Sequence, residues 1–163
     1  ADMNAYPWDL EERAVDAVVA YLRTEIGEAA TIKAALDFVD AITFPLVSIF
    51  VEDSDNANDI AQFNGLRKLS IGIDIVTEAI TEYGTASENA AMFRTARETH
   101  RAVKSQVVGA LAYQHLEDAI NAVGSEGVWF SSAHMTRQNP GIENNTFFTM
   151  QMLECICSPK EIG

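Results

Sequence analysis

The sequence predicts an α+β domain, a mostly antiparallel sheet of about four strands with two to three helices packed against it. Three observations predict it. Helix-like and strand-like patterns come in the same order twice: helix, strand pair, helix, strand pair. Each strand pair is joined by a long polar stretch in place of a tight turn. The first pair spans Phe44 to Val76 around EDSDNANDIAQFNG, and the second spans Gly127 to Cys157 around TRQNPGIENNT. The chain has 163 residues, 48% of them hydrophobic and 21% charged. That length supports one domain with a single core, able to bury roughly two thirds of its unfolded surface. Long loops on a small sheet usually serve contacts.

The elements follow in order. Asp9 with Glu12 resembles a capping box, and Leu10, Ala14, Ala17, Val18, Tyr21 and Leu22 recur at helical spacing. A first helix is expected from about Leu10 to Glu25, stopped by Gly27. TIKAALDF fits either a short strand or an extended connection. After Pro45, LVSIFV is rich in β-branched and aromatic residues and reads as a strand. Leu69, Ile71, Ile73 and Ile75 then alternate with Lys68, Ser70, Gly72 and Asp74, so one face of this strand is buried and the other wet. Thr85 with Glu88 is a second capping box, and no Pro or Gly follows until Gly109, which predicts the longest helix. Its apolar side is Phe93, Ala96, Val103 and Val107, with His100 on the same face. Gly109 is expected to bend or end it. Leu111, Leu116, Ala119, Ile120 and Val123 continue the pattern as a shorter helix or a kinked extension. GVWFSSAHM and FFTMQMLECIC form the second strand pair, with Pro140 and Gly141 placed in the loop between them.

Charge and chemistry narrow the function. The net charge is −13 with only 11 Lys and Arg, which argues against gripping nucleic acid, because that requires phosphates to be neutralised. Such a charge suits plain solubility, a salt-adapted host, or a surface that lets DNA pass without holding it. No signal-peptide pattern or membrane-length apolar run is present, and a leading Ala fits removal of an initiator Met, so synthesis in a cytoplasm is expected. Cys155 and Cys157 are two apart on one strand, which places both side chains on one face as small hydrophobes and disfavours a disulfide. His100, His115 and His134 have no metal-ligand spacing. With no phosphate-binding Gly loop, nucleophile elbow or convincing carboxylate pair, neither an enzyme nor a cofactor is expected. Trp8 and Trp129 read as core or rim packing, and Met150 and Met152 suit a core face or an adaptable interface.

The order of an N-terminal helix, FPLVSIFVED, KLSIGIDIVTEA, the TASENAAMFRTARETHRAV helix and the terminal GVWFSSAHMTRQNPGIENNTFFTMQMLECIC hairpin resembles the tail-terminator and tail-completion proteins of tailed bacteriophages. The resemblance covers nearly the whole chain and rests on segment order, with longer hairpin loops and an extra helical segment, Leu111 to Val123, as departures. It implies a homo-oligomeric ring, typically a hexamer, that caps the tail tube in the virion and joins it to the head–tail connector. The implied partners are further copies of the chain, the tube protein and the connector or stopper protein, with DNA crossing the lumen. A head-to-tail ring needs unlike surfaces on opposite flanks. Arg94, Arg97, Arg101 and Lys104 fall at i, i+3, i+7 and i+10 on one helix stripe, and Glu52, Asp53, Asp55 and Asp59 are their candidate complement. The plain alternative is a solvated stripe paired locally with Glu88 or Glu98. Two other functions compete: a stopper or head-completion protein of the same connector, and a small-molecule-binding α/β domain with a pocket between helices and sheet.

Overall fold

A computed structural model describes residues 9–35, 43–56, 66–79, 83–124, 127–143 and 146–159. The chain begins with helix α1, Leu10–Ile26, which buries an apolar stripe that includes Leu10, Ala14, Val18, Tyr21 and Leu22. The expected Asp9–Glu12 capping box is absent. Asp9 occupies the N-cap with a backbone (φ −96°, ψ 29°) that turns its side chain away from the first amides, and its carboxylate accepts instead from Arg13 Nε at 2.9 Å. The pair is an exposed i,i+4 contact between the N-cap and the next turn. Gly27 stops the helix as expected, at φ 58°, a conformation that a side chain would resist.

A short 3-10 turn, Gly27–Ala29, leads into strand β1, Thr31–Ala34, so the undecided TIKA segment is a strand. Strands β2, Leu46–Asn56, and β3, Arg67–Glu78, form the first antiparallel hairpin; β4, Val128–Glu143, and β5, Thr146–Pro159, form the second. The sheet order is β1-β2-β3-β5-β4. The two hairpins are therefore joined through an antiparallel β3–β5 pairing that runs from Arg67↔Cys157 to Glu78↔Thr146, and β1 adds to β2 in parallel. Among the described residues the sheet has five strands, one more than expected, and is mostly antiparallel.

The predicted two-residue period of β3 holds. Leu69, Ile71, Ile73 and Ile75 are fully buried, each worth about 1.5–3 kcal/mol of apolar transfer. Across the register Leu69 pairs with Cys155 and Ile71 with Leu153, which puts both cysteines on the same inner face. Both are free and buried, as expected. All three helices cover this face. Helix α2, Ala86–Leu111, and helix α3, Leu116–Val123, share one core cluster with α1 through residues such as Val103, Val107, Leu116 and Ile120. Gly109 does not end α2. The helix continues to Leu111 because Ala110 and Leu111 are buried and hold its last turn against the core. The following segment is a separate helix.

Two expectations about the hairpins need correction. TRQNPGIENNT is not a long loop: residues through Glu143 belong to β4, and only two residues separate it from β5. Pro140 and Gly141 thus lie in a strand, which is tolerated because β4 is at the sheet edge, where a missing N–H leaves no ladder bond broken. Gly141 faces Phe148 across the ladder, and a Cβ there would run into the ring, so the phenyl covers the glycine as a packing partner. Phe50 covers Gly72 in the same way. Likewise β2 extends through Asn56, so the start of the acidic stretch, Glu52 to Asn56, is strand, and the rest of it lies outside the described residues.

Candidate subunit interface

The interface candidates are set by how α2 sits on the sheet. Its N-terminus carries the predicted capping box: Thr85 Oγ1 accepts from the Glu88 amide at 3.2 Å, while Glu88 Oε1 accepts from the Thr85 amide and hydroxyl. Ala96, His100, Val103 and Val107 then point inward, with Phe93 half-buried against Phe147 at a ring separation of 4.7 Å. His100 joins the two central strands. Its Nδ1 lies 3.1 Å from Thr77 Oγ1 and its Nε2 2.9 Å from Thr149 Oγ1. A neutral imidazole offers one donor and one acceptor, and hydroxyls can answer either. Burial pushes the His100 pKa down, helped by the Lys104 charge. At the other end of α2 the buried Tyr21 hydroxyl donates to the Ala110 carbonyl, one of the last carbonyls that the helix leaves without an internal partner. Burial, with Glu25 and Tyr113 nearby, pushes the Tyr21 pKa up to about 12.

This anchoring turns the opposite side of α2 to solvent. Arg94, Arg97 and Arg101 are exposed and Lys104 is half-buried. None of the four side chains makes a hydrogen bond or ion pair with another described residue. The local pairing with Glu88 or Glu98 is therefore absent among the described residues, and the Glu88 carboxylate is already committed to the helix cap.

The acidic set is elsewhere. Glu52, Asp53 and Asp55 are exposed on the outer half of β2, where the register shifts between Val51 and Asp53. A bulge of this kind twists the strand and re-aims its side chains. Asp59 lies outside the described residues. Beside this set, Ser54 Oγ donates to Glu11 at 2.8 Å and accepts from Arg67 Nη2 at 2.7 Å, with Arg67 Nε 3.7 Å from Glu11. This network ties the first turn of α1 to the hairpin. Within one chain the structure does not bring the basic stripe and the acidic strand into contact.

Sequence reasoning missed a third surface. Among the described residues no helix covers the other face of the sheet. This face carries Phe50, Val76, Phe148, Met150, Met152 and Ile156 together with Ser70, Asp74 and Glu154. Ser70 Oγ lies 2.9 Å from both Glu154 oxygens. Burial, with Glu52 nearby, raises the Asp74 pKa. An open hollow of about 410 Å³ sits here between Glu52, Asp53, Ser70, Arg137, Met152 and Glu154. The signal was present in the polar half of the β3 alternation, which marked a wet face without saying how wide it is. Trp129, 45% exposed on β4, adds an aromatic at its margin; Trp8 lies outside the described residues. A hollow of about 710 Å³ on the helix side is bounded by Pro45, Thr77, Met92 and Thr99.

Chemically reactive groups are muted. The Cys155 thiol is held well above its ordinary pKa by hydrogen bonding with the Cys157 thiol and by burial, and a protonated buried thiol is a poor nucleophile. Among the described residues no group of three or more His, Cys, Asp or Glu is placed to hold a metal ion, and no helix is long and apolar enough to cross a membrane.

No protein-family model matches the chain, and no curated protein matches it. Its fold does have a counterpart among solved structures. A chain of the virion of a native gene transfer agent particle superposes with a TM-score of 0.51 at 12% sequence identity, over 93% of this chain and 99% of that one. At that identity the likeness is one of fold, and it extends over most of this chain and nearly all of the other.

Proposed function

We propose that this chain is a structural protein of a phage-like virion. It closes into a homo-oligomeric ring, a hexamer, at the head-proximal end of a tail tube, ends tube polymerisation and joins the tail to the head–tail connector. The observation that carries this reading is the end-to-end fold likeness to a chain of a gene transfer agent virion. A likeness confined to a common sub-motif would leave part of one chain uncovered, and here almost nothing is left over. The charge distribution adds support. A net charge of −13 makes a wall that repels phosphate, so DNA crosses the lumen without being held. The unpaired cations of α2 and the exposed acids of β2 are patches of opposite sign on different elements, which is what a head-to-tail contact requires. The ring's partners are the tube protein on one side and the connector or stopper protein on the other.

Native mass spectrometry of the purified full chain tests the ring directly. A closed six-fold species is the expected result, and a protein that stays monomeric at tens of micromolar, alone and with tube protein added, would overturn the proposal. Imaging of the intact particle separates a tube-capping position from a stopper position nearer the portal.

A further inference from the structure

An open sheet ends in two strands whose outward N–H and C=O groups invite further strands. Among the described residues those strands are β1 and β4. The Thr31 amide donates to the Pro45 carbonyl at 2.9 Å, so Thr31 faces β2. Peptide groups alternate in direction along a strand, which leaves the carbonyl of Ile32 pointing to the open side. Arg23, in the last turn of α1, fills that place: its Nε and Nη2 donate to the Ile32 carbonyl at 3.0 and 2.6 Å.

The other edge is treated in the same way by a different helix. Asn121 of α3 donates through Nδ2 to the Phe130 carbonyl at 2.8 Å and accepts through Oδ1 from the Phe130 amide at 2.9 Å. One side-chain amide thus takes both backbone groups of one residue, which is what a neighbouring strand would offer. Farther along β4 the register breaks between Phe130 and Ser132 and again between Met135 and Gln138, and Pro140 brings no N–H.

We propose that Arg23 and Asn121 are edge guards. They occupy the backbone groups that a strand of another copy would need, so the sheet cannot be extended at β1 or at the start of β4, and copies meet through side-chain surfaces. Each guard comes from a helix packed on the edge it protects, α1 on β1 and α3 on β4. Any association between copies then cannot run on as a continuous sheet. This inference rests on geometry within one chain and does not depend on the ring.

The test uses the full chain with Arg23→Met and Asn121→Leu, singly and together, studied by amide hydrogen exchange and by light scattering over a concentration series. In Asn121→Leu the Phe130 amide is expected to exchange about fivefold faster, the loss of one net hydrogen bond. The double variant, with an unchanged far-UV spectrum when dilute, is expected to form species larger than any of the wild type, increasing with concentration. A folded double variant whose mass distribution matches the wild type at every concentration would overturn the proposal. If Asn121→Leu does not fold, Asn121→Asp keeps the acceptor, loses the donor and adds a negative charge beside the Phe130 carbonyl, and its combination with Arg23→Met is judged by the same criterion. A monomeric wild type would defeat the ring while leaving the guards intact; a wild-type ring with unresponsive variants would do the reverse.

Discussion

His100 is the side chain on which the placement of α2 turns, because it is 7% exposed and bonded to hydroxyls from two strands at once. His100→Ala removes both bonds and opens a cavity, at an expected cost of about 2–4 kcal/mol in urea unfolding. Its lowered pKa also has a direction. As pH falls through the ordinary histidine range, the unfolded chain takes up a proton that the folded imidazole still refuses, so stability falls until the folded imidazole titrates as well. His100→Gln should flatten that part of the stability–pH curve. Asp74 acts in the opposite sense. Its folded pKa is raised, so its carboxylate favours folding at low pH and opposes it once pH exceeds the folded value. Asp74→Asn is expected to raise the thermal midpoint at pH 7 and to leave it nearly unchanged at pH 3.

At the scale of elements, α2 owes its start to local chemistry and its end to packing. Thr85→Ala deletes the acceptor for the Glu88 amide and should cost about 1 kcal/mol. Gly109 lies inside the last turns, and a Cβ added there would meet nothing within 4 Å, so Gly109→Ala brings no clash and should gain about 0.5–1 kcal/mol. Both are read by chemical denaturation. The helix cap was legible in the sequence because Thr85 and Glu88 interact across three residues, whereas the passage of α2 beyond Gly109 was not, since it depends on the core that receives Ala110 and Leu111. The same division applies to the second hairpin. Polar residues from Thr136 to Glu143 resemble a loop, yet pairing with β5 makes them a strand, because an edge strand with one neighbour needs few apolar side chains.

For the whole molecule, the proposed ring requires an acidic body to attract copies of itself. A net charge of −13 opposes association at long range, so any lateral contact needs local complementarity. The basic stripe is the exception within this field: Arg94, Arg97 and Arg101 are exposed and free of pairing with described residues. In the proposed ring they meet the Glu52, Asp53 and Asp55 side of the next copy. Arg97→Glu with Arg101→Glu should therefore disperse the ring into smaller species on a sizing column without changing the fold, and unchanged oligomers would remove the stripe from the interface.

The sequence by itself determined the elements and their inward faces. Period-two alternation, helical spacing and the Thr85 cap are written in neighbouring residues, and the α+β class, the buried isoleucines of β3 and the paired inner cysteines followed from them. Only the tertiary structure decided the strand order, the parallel β1 edge, the sheet face that no described helix covers, and the placing of Arg23 and Asn121 on the two sheet edges. Those features join residues that are distant in the chain or belong to different elements, and hydrogen bonding between such groups leaves no periodic trace in a single sequence.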